Sequence, residues 1–204
     1  MNNNYTYILG PCSIEDQDTF LTVAKELSPL MKGKDWYLKG SFDKANRTSI
    51  HSKRGPGLNE GIRIMEMAKR MYSNVKIITD IHEASQALPL SDVVDVIQIP
   101  AFLCRQTDLL VACAKHFDVI NIKKGQWLSA DAMKHAVNKI KEVHPACEVW
   151  ITERGSQFGH DRLIVDFRGV DVMKKFADKV ILDCTHSTQI AGDGITGGSR
   201  KLAK

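Results

Sequence analysis

The sequence predicts an α/β protein built on a parallel sheet, and three observations predict it. Short apolar runs rich in Val and Ile alternate with helix-period segments along the whole chain. Several of those runs are nearly continuous rather than alternating, as in strands covered on both faces. Ionisable residues gather just after the runs, at the carboxyl ends of strands, where parallel α/β folds hold their ligands.

The elements follow in order. Strands are expected at Tyr5–Leu9, Trp36–Lys39, Val75–Asp80, Val93–Ile99, Val119–Lys123, Glu148–Thr152 and Val180–Asp183. Between them, Phe20, Val23, Ala24, Leu27 and Leu30 form one helical stripe, and Met133, Val137, Ile140 and Val143 another. Ser13-Ile14-Glu15-Asp16 and Ser129-Ala130-Asp131 supply cap chemistry before these stripes. Repeated βα units imply right-handed crossovers between parallel strands. A doubly wound open sheet and a (β/α)8 TIM-type barrel both satisfy this pattern. Gly10-Pro11-Cys12-Ser13 follows the first strand, where a dinucleotide-binding sheet would carry G-x-G-x-x-G, so the barrel is preferred. A barrel takes about 250 residues. In 204 residues the last βα unit is therefore expected to be absent, and residues 1–204 read as a single, incomplete barrel domain. The tail after His186, rich in Gly and Thr, reads as a loop.

Composition bounds the function. Hydrophobic content of 43% and charged content of 25% are ordinary for a globular protein. No apolar run approaches a membrane span and no signal-peptide pattern opens the chain, so a cytoplasmic location is expected. Five widely spaced cysteines suit a reducing compartment, with Cys104, Cys113 and Cys147 read as buried apolar residues. A net charge of +4 permits acidic partners, but aromatic content of 7% is low for a nucleic-acid groove, so a small anionic substrate is favoured and no nucleic acid or membrane partner is expected.

The segment Lys44-Ala45-Asn46-Arg47-Thr48-Ser49-Ile50-His51-Ser52 is too dense in cationic and amide groups to be core. The strand ends in turn present Cys12; Lys39 to Ser49; Asp80 and His82; Gln98; Lys123 and Lys124; Arg154; and Asp183, Cys184 and His186. In a barrel these ends converge on one mouth. Lys124 and Arg154 then make one anion clamp, and Lys44 and Arg47 a second. Asp80 pairs with one of the lysines or accepts hydrogen bonds from substrate hydroxyls. His82 reads as structural. Cys12 and His186 offer a thiolate and an imidazole, donors suited to Zn2+ or Fe2+, with Cys184 a weaker third.

With these residues assembled, the chain resembles the 3-deoxy-D-manno-octulosonate 8-phosphate (KDO8P) synthase family from about Tyr5 to Arg200. The resemblance is carried by Ser41-Phe42-Asp43-Lys44-Ala45-Asn46-Arg47-Thr48-Ser49-Ile50-His51-Ser52, Ile78-Thr79-Asp80-Ile81-His82-Glu83, Ile97-Gln98-Ile99-Pro100-Ala101-Phe102-Leu103-Cys104-Arg105-Gln106-Thr107-Asp108, Asn121-Ile122-Lys123-Lys124-Gly125-Gln126, Thr152-Glu153-Arg154-Gly155 and Asp183-Cys184-Thr185-His186. It implies a TIM barrel and a transferase that condenses phosphoenolpyruvate with D-arabinose 5-phosphate in lipopolysaccharide biosynthesis. It further implies that Lys39, Lys124 and Arg154 hold phosphoenolpyruvate. Lys44, Asn46, Arg47 and Thr196 would hold the sugar phosphate, with Arg105 supplied by a neighbouring subunit of a homotetramer. Asp80, Lys44 and His186 are the expected catalytic residues. Cys12 matches the metal-dependent class of the family, which implies Zn2+, Fe2+ or Mn2+ on Cys12 and His186.

That class completes its metal site with a Glu and an Asp that have no positions in this sequence. The expectation is a C-terminally truncated chain with an incomplete metal site and little activity. Two alternatives stand beside the synthase: a 3-deoxy-D-arabino-heptulosonate 7-phosphate (DAHP) synthase-like aldol enzyme using erythrose 4-phosphate, which the Lys44–Ser49 loop argues against, and a non-catalytic phospho-sugar binding protein.

Overall fold

Seven strands hydrogen-bond in the order in which they occur in the sequence: β1 (Thr6–Ser13), β2 (Asp35–Ser41), β3 (Lys76–Asp80), β4 (Val96–Ile99), β5 (Val119–Lys123), β6 (Glu148–Glu153) and β7 (Lys179–Leu182). Each crossover holds a helix: α1 (Gln17–Leu30), α2 (Leu58–Met71), α3 (Ala87–Ser91), α4 (Thr107–His116), α5 (Lys134–Val143) and α6 (Arg168–Met173). The pairs β1–β2, β2–β3, β5–β6 and β6–β7 are parallel. This is the α/β architecture with a parallel sheet that the sequence predicts. The computed structural model describes residues 5–47, 49–157, 162–191 and 196–198, the side chains of 190, 191 and 196–198 excepted. By their internal packing these fall into two compact units, residues 1–97 and 98–204.

In the first unit, Trp36 to Ser41 of β2 and Ile77 to Asp80 of β3 are buried without interruption, which explains their lack of polar alternation. α1 starts where Asp16 accepts the Thr19 N–H at 2.7 Å, an N-cap, and buries Phe20 and Ala24 on one face. α2 buries Ile64, Met65 and Ala68 at helical spacing. β1 runs past the predicted end at Leu9 through an irregularity: Leu9 pairs with Leu38 and Cys12 with Gly40, so β1 carries an extra residue there. The bulge is possible because of Gly10, whose φ is +153° and whose missing side chain would meet Lys39 O at 2.1 Å. Beyond it Cys12 sits at φ 69°, a left-handed conformation unusual for a residue with a side chain.

In the second unit, β5 and β6 pair from Val119↔Glu148 to Lys123↔Thr152, and Ile120, Ile122, Val149 and Ile151 of these strands are buried, as are Val137 and Ile140 of α5. Trp150, 1% exposed, satisfies its indole N–H on Glu148 at 2.7 Å and carries Lys179 over its ring. β7 is only half-buried.

Two sequence boundaries move. β4 begins at Val96 rather than Val93, because the Val93 and Val94 N–H groups donate to Leu90 O and finish the α3 turn. The tail predicted as loop contains a short 3-10 turn, His186–Thr188, and an antiparallel pair of strands, β8 (Gln189–Ala191) and β9 (Thr196–Gly198). Backbone pairing creates these three-residue strands, and side-chain periodicity cannot announce strands so short. Among the described residues no helix is long and apolar enough to cross a membrane.

Candidate active site

The first unit brings four of the predicted residues together at the carboxyl ends of β1, β2 and β3. Lys39 pairs in register with Ile78, and strand alternation puts Asp80, two residues on, on the same face. Lys39 Nζ donates to Asp80 Oδ2 at 3.2 Å, with side chains 10% and 7% exposed. Lys44 Nζ lies 3.9 Å from the same carboxylate oxygen and donates to Cys12 Sγ at 3.1 Å. The bulge and left-handed turn at Cys12 thus aim its thiol at an ammonium group. Two cations sharing one carboxylate beside a thiol make a net positive, mostly buried setting, suited to an anionic ligand.

Asn46 and Arg47 are not part of this cluster. Both are exposed on the loop after β2, and Arg47 Nε donates to Lys53 O at 3.3 Å. The loop closes at its neck: Arg54 holds Asp43 through two guanidinium N–H groups, and the Lys44 N–H donates to Arg54 O at 2.7 Å. The Arg54 bond outweighs partial burial and keeps the Asp43 carboxyl below its usual range. His82 packs edge-on against Phe42 at 5.5 Å, and its Nδ1 is buried with no hydrogen-bond partner among the described residues. Burial pushes its pKa down against the opposing pull of Asp80 and Asp43, so the ring is held neutral.

The second unit gathers its own set at the ends of β5, β6 and β7. Arg154 is 8% exposed and donates through Nη2 to Gln189 at 2.9 Å. Lys123 is 8% exposed and lies close enough to Asp183 to stabilise its charge. Asp183 accepts from His186 Nδ1 at 2.7 Å and, through its other oxygen, from the His186 backbone N–H at 2.9 Å. Burial pushes the Asp183 carboxyl up, but the His186 bond and charge, with Lys123, outweigh it and hold the group far below the ordinary carboxylate range. In the neutral imidazole, an Nδ1–H held on a carboxylate fixes the tautomer whose Nε2 is the acceptor, an arrangement that often supports metal-bound imidazoles. Below this rim, Thr152 donates to Asn121 at 2.9 Å and Asn121 to Gln98 at 3.1 Å, a buried ladder across β6, β5 and β4.

Lys124 sits differently from its expected place. Its side chain is 2% exposed and its ammonium is surrounded by protein oxygens, Ser156 Oγ at 3.1 Å and Glu153 Oε1 at 3.5 Å among them. Arg105 is exposed, with its carbonyl accepting from Lys139 at 3.3 Å. Thr196 falls in β9, where the side chains lie outside the described set. Cys184 is exposed, and among the described residues no group of three or more His, Cys, Asp or Glu side chains stands ready to hold a metal.

The sequence reading did not single out Glu153, Asn121 or a supporting role for Asp183. Signals existed for Asn121 and Asp183. A polar residue in the middle of a buried apolar strand, as at Gln98, Asn121 and Thr152, needs a partner. Asp183 stands three residues before His186, a spacing that one turn closes.

A parallel α/β sheet with cationic and acidic groups at its strand ends has the architecture in which such folds hold ligands and catalytic groups. The chain belongs to the DAHP synthetase I family, whose model matches residues 1–201. It is 47% identical to the 2-dehydro-3-deoxyphosphooctonate aldolase of Campylobacter jejuni subsp. doylei, over 97% of this chain and 78% of that protein. The proteins of the same name from Wolinella succinogenes and Helicobacter hepaticus are 45% and 47% identical, over 96% and 93% of this chain and 79% and 74% of theirs.

Proposed function

We propose that this chain carries the KDO8P synthase reaction: phosphoenolpyruvate, D-arabinose 5-phosphate and water give KDO 8-phosphate and inorganic phosphate. The enol carbon of phosphoenolpyruvate bonds to the sugar aldehyde carbon, water adds at the enolpyruvate C2, and phosphate leaves by cleavage of the C–O bond. The observation that carries this reading is the buried Lys39–Asp80–Lys44 cluster beside Cys12. Lys44 and Asp80 lie in segments by which the chain resembles the family, and the net positive charge of the cluster suits a phosphorylated ligand.

In this reading Lys44, Asn46, Arg47 and Thr196 hold the sugar phosphate and Asp80 receives its hydroxyls near the new bond. Lys39 and Arg154 balance the phosphate and carboxylate of phosphoenolpyruvate. Lys123 joins them in preference to Lys124. It shares its strand face with Asn121 and acts on Asp183, whereas Lys124 is enclosed by protein oxygens.

Cys12 and His186 are the proposed metal ligands. A bound Zn2+, Fe2+ or Mn2+ would acidify water or orient the sugar aldehyde. Each donor is of a type that suits such an ion: a thiol beside a Lys44 ammonium, and an imidazole anchored through Nδ1 on Asp183. The sheet order fits part of a (β/α)8 barrel. We place the protein in the cytoplasm, in lipopolysaccharide synthesis, as a homotetramer in which Arg105 reaches the neighbouring subunit's sugar phosphate.

The test is phosphate release from phosphoenolpyruvate by the purified chain with added Zn2+ or Fe2+. Release that depends on arabinose 5-phosphate and not on erythrose 4-phosphate is expected. Equal release with erythrose 4-phosphate, or tight arabinose 5-phosphate binding with no release, would replace this reading by one of the two alternatives.

A further inference from the structure

Lys123 and Lys124 are consecutive, and strand alternation sends them to opposite faces at the end of β5. Lys124 is the more deeply buried. Its Nζ lies 3.1 Å from Ser156 Oγ, 3.4 Å from Leu128 O, and 3.5 Å from Gly125 O, Gly155 O and Glu153 Oε1. Those oxygens come from the loop after β5 and from the end of β6 with the loop that follows it. Glu153, 3% exposed in its side chain, uses the same Oε1 to accept the Gly155 N–H at 2.6 Å. The two loops meet again where the Gln157 N–H donates to Gln126 O at 3.1 Å. Gly155 turns at φ +95°, and a side chain there would press on Leu163 Cβ at 2.9 Å, so the second loop is closely seated.

A buried ammonium–carboxylate pair is a poor source of stability, because well-packed apolar residues often replace one without loss. What such a pair supplies is direction, since an ammonium shared among these oxygens holds each backbone segment in one place. We propose that Lys124 and Glu153 are a positioning pair, tying the loop after β5 to the loop after β6. In doing so they fix their chain neighbours Lys123 and Arg154 as a matched phosphate and carboxylate clamp. The role rests on the phosphoenolpyruvate reading of Lys123 and Arg154 given above. Neither Lys124 nor Glu153 touches the ligand. Both act through the residues beside them.

The experiment compares the unmodified chain with the double variant Lys124→Met/Glu153→Leu, which removes both buried charges together, and with Glu153→Gln. Thermal midpoints, calorimetric titration with phosphoenolpyruvate alone and titration with arabinose 5-phosphate alone are measured for each. The double variant is expected to stay folded, with a midpoint near that of the unmodified chain. It should bind phosphoenolpyruvate about tenfold more weakly and arabinose 5-phosphate unchanged, with faster amide exchange at Leu128 and Gly155. Glu153→Gln should lie between the two. Unaltered phosphoenolpyruvate affinity in a folded double variant overturns the proposal, as does equal weakening of both ligands in step with the thermal midpoint. If the unmodified chain binds no phosphoenolpyruvate, the functional reading fails and the pair's role with it. Binding by the unmodified chain that the variants retain sinks the pair alone.

Discussion

Asp80 is one carboxylate between two ammonium groups, all three mostly shielded from water. Removing it leaves Lys39 and Lys44 to repel each other where solvent screens poorly. Asp80→Asn is expected to cost about 3 kcal/mol in urea unfolding, and added inorganic phosphate should restore part of that loss by taking the carboxylate's place. At Asp183 the folded carboxyl titrates well below the unfolded one. Its stabilisation is therefore complete above about pH 4 and is lost as pH falls toward the depressed folded value. Urea midpoints of Asp183→Asn should accordingly fall less steeply than those of the unmodified chain between neutral pH and pH ~3. An unchanged slope would mean that the His186–Asp183 bond does not form in solution. The thiols divide the same way. Burial pushes Cys113 to about 12 and Cys147 to about 11, and Cys104 is raised as well. A thiol reagent at neutral pH should modify Cys184 first and reach these three only on unfolding.

At the scale of the element, caps and bulges decide where strands and helices stop. Asp16 starts α1 through bonds to the Thr19 N–H and hydroxyl. Asp16→Ala should lower stability by about 1 kcal/mol, read from the urea midpoint, with ligand binding untouched. Gly10 is a sharper case, because a methyl group there would collide with the β2 backbone at Lys39. Gly10→Ala is expected to straighten or expel the bulge and turn Cys12 away from Lys44. A Cd2+–thiolate absorption band should then weaken in the variant while the α-helical circular dichroism is retained. A band of undiminished strength would show that the bulge does not aim the thiol.

For the whole molecule, the parallel sheet was legible because its cause is local. Near-continuous Val and Ile runs such as Val119–Lys123 can only be strands buried on both faces, and the helical stripes between them leave only parallel crossovers. The placement of site residues was legible to the extent that strand ends were. Lys39, Lys44, Asp80 and Cys12 were expected near one another, and they meet. The division between Lys123 and Lys124 was not legible. Lys123 ends β5 and Lys124 follows it, and a motif names such neighbours without saying which of them the surrounding loops enclose. The short strands β8 and β9 were hidden for a related reason, since their pairing partner is the only thing that makes them strands.

The sequence by itself determined the alternation of strands and helices, the gathering of charge at strand ends and the family. These follow from periodicity, composition and residue identity, which are properties of short stretches of chain. Only the tertiary structure decided that Lys124 is enclosed by protein oxygens from two loops and that a bulge turns Cys12 toward Lys44. Each of those depends on a partner distant in sequence whose side-chain direction is set by packing, and packing is not written in any one segment.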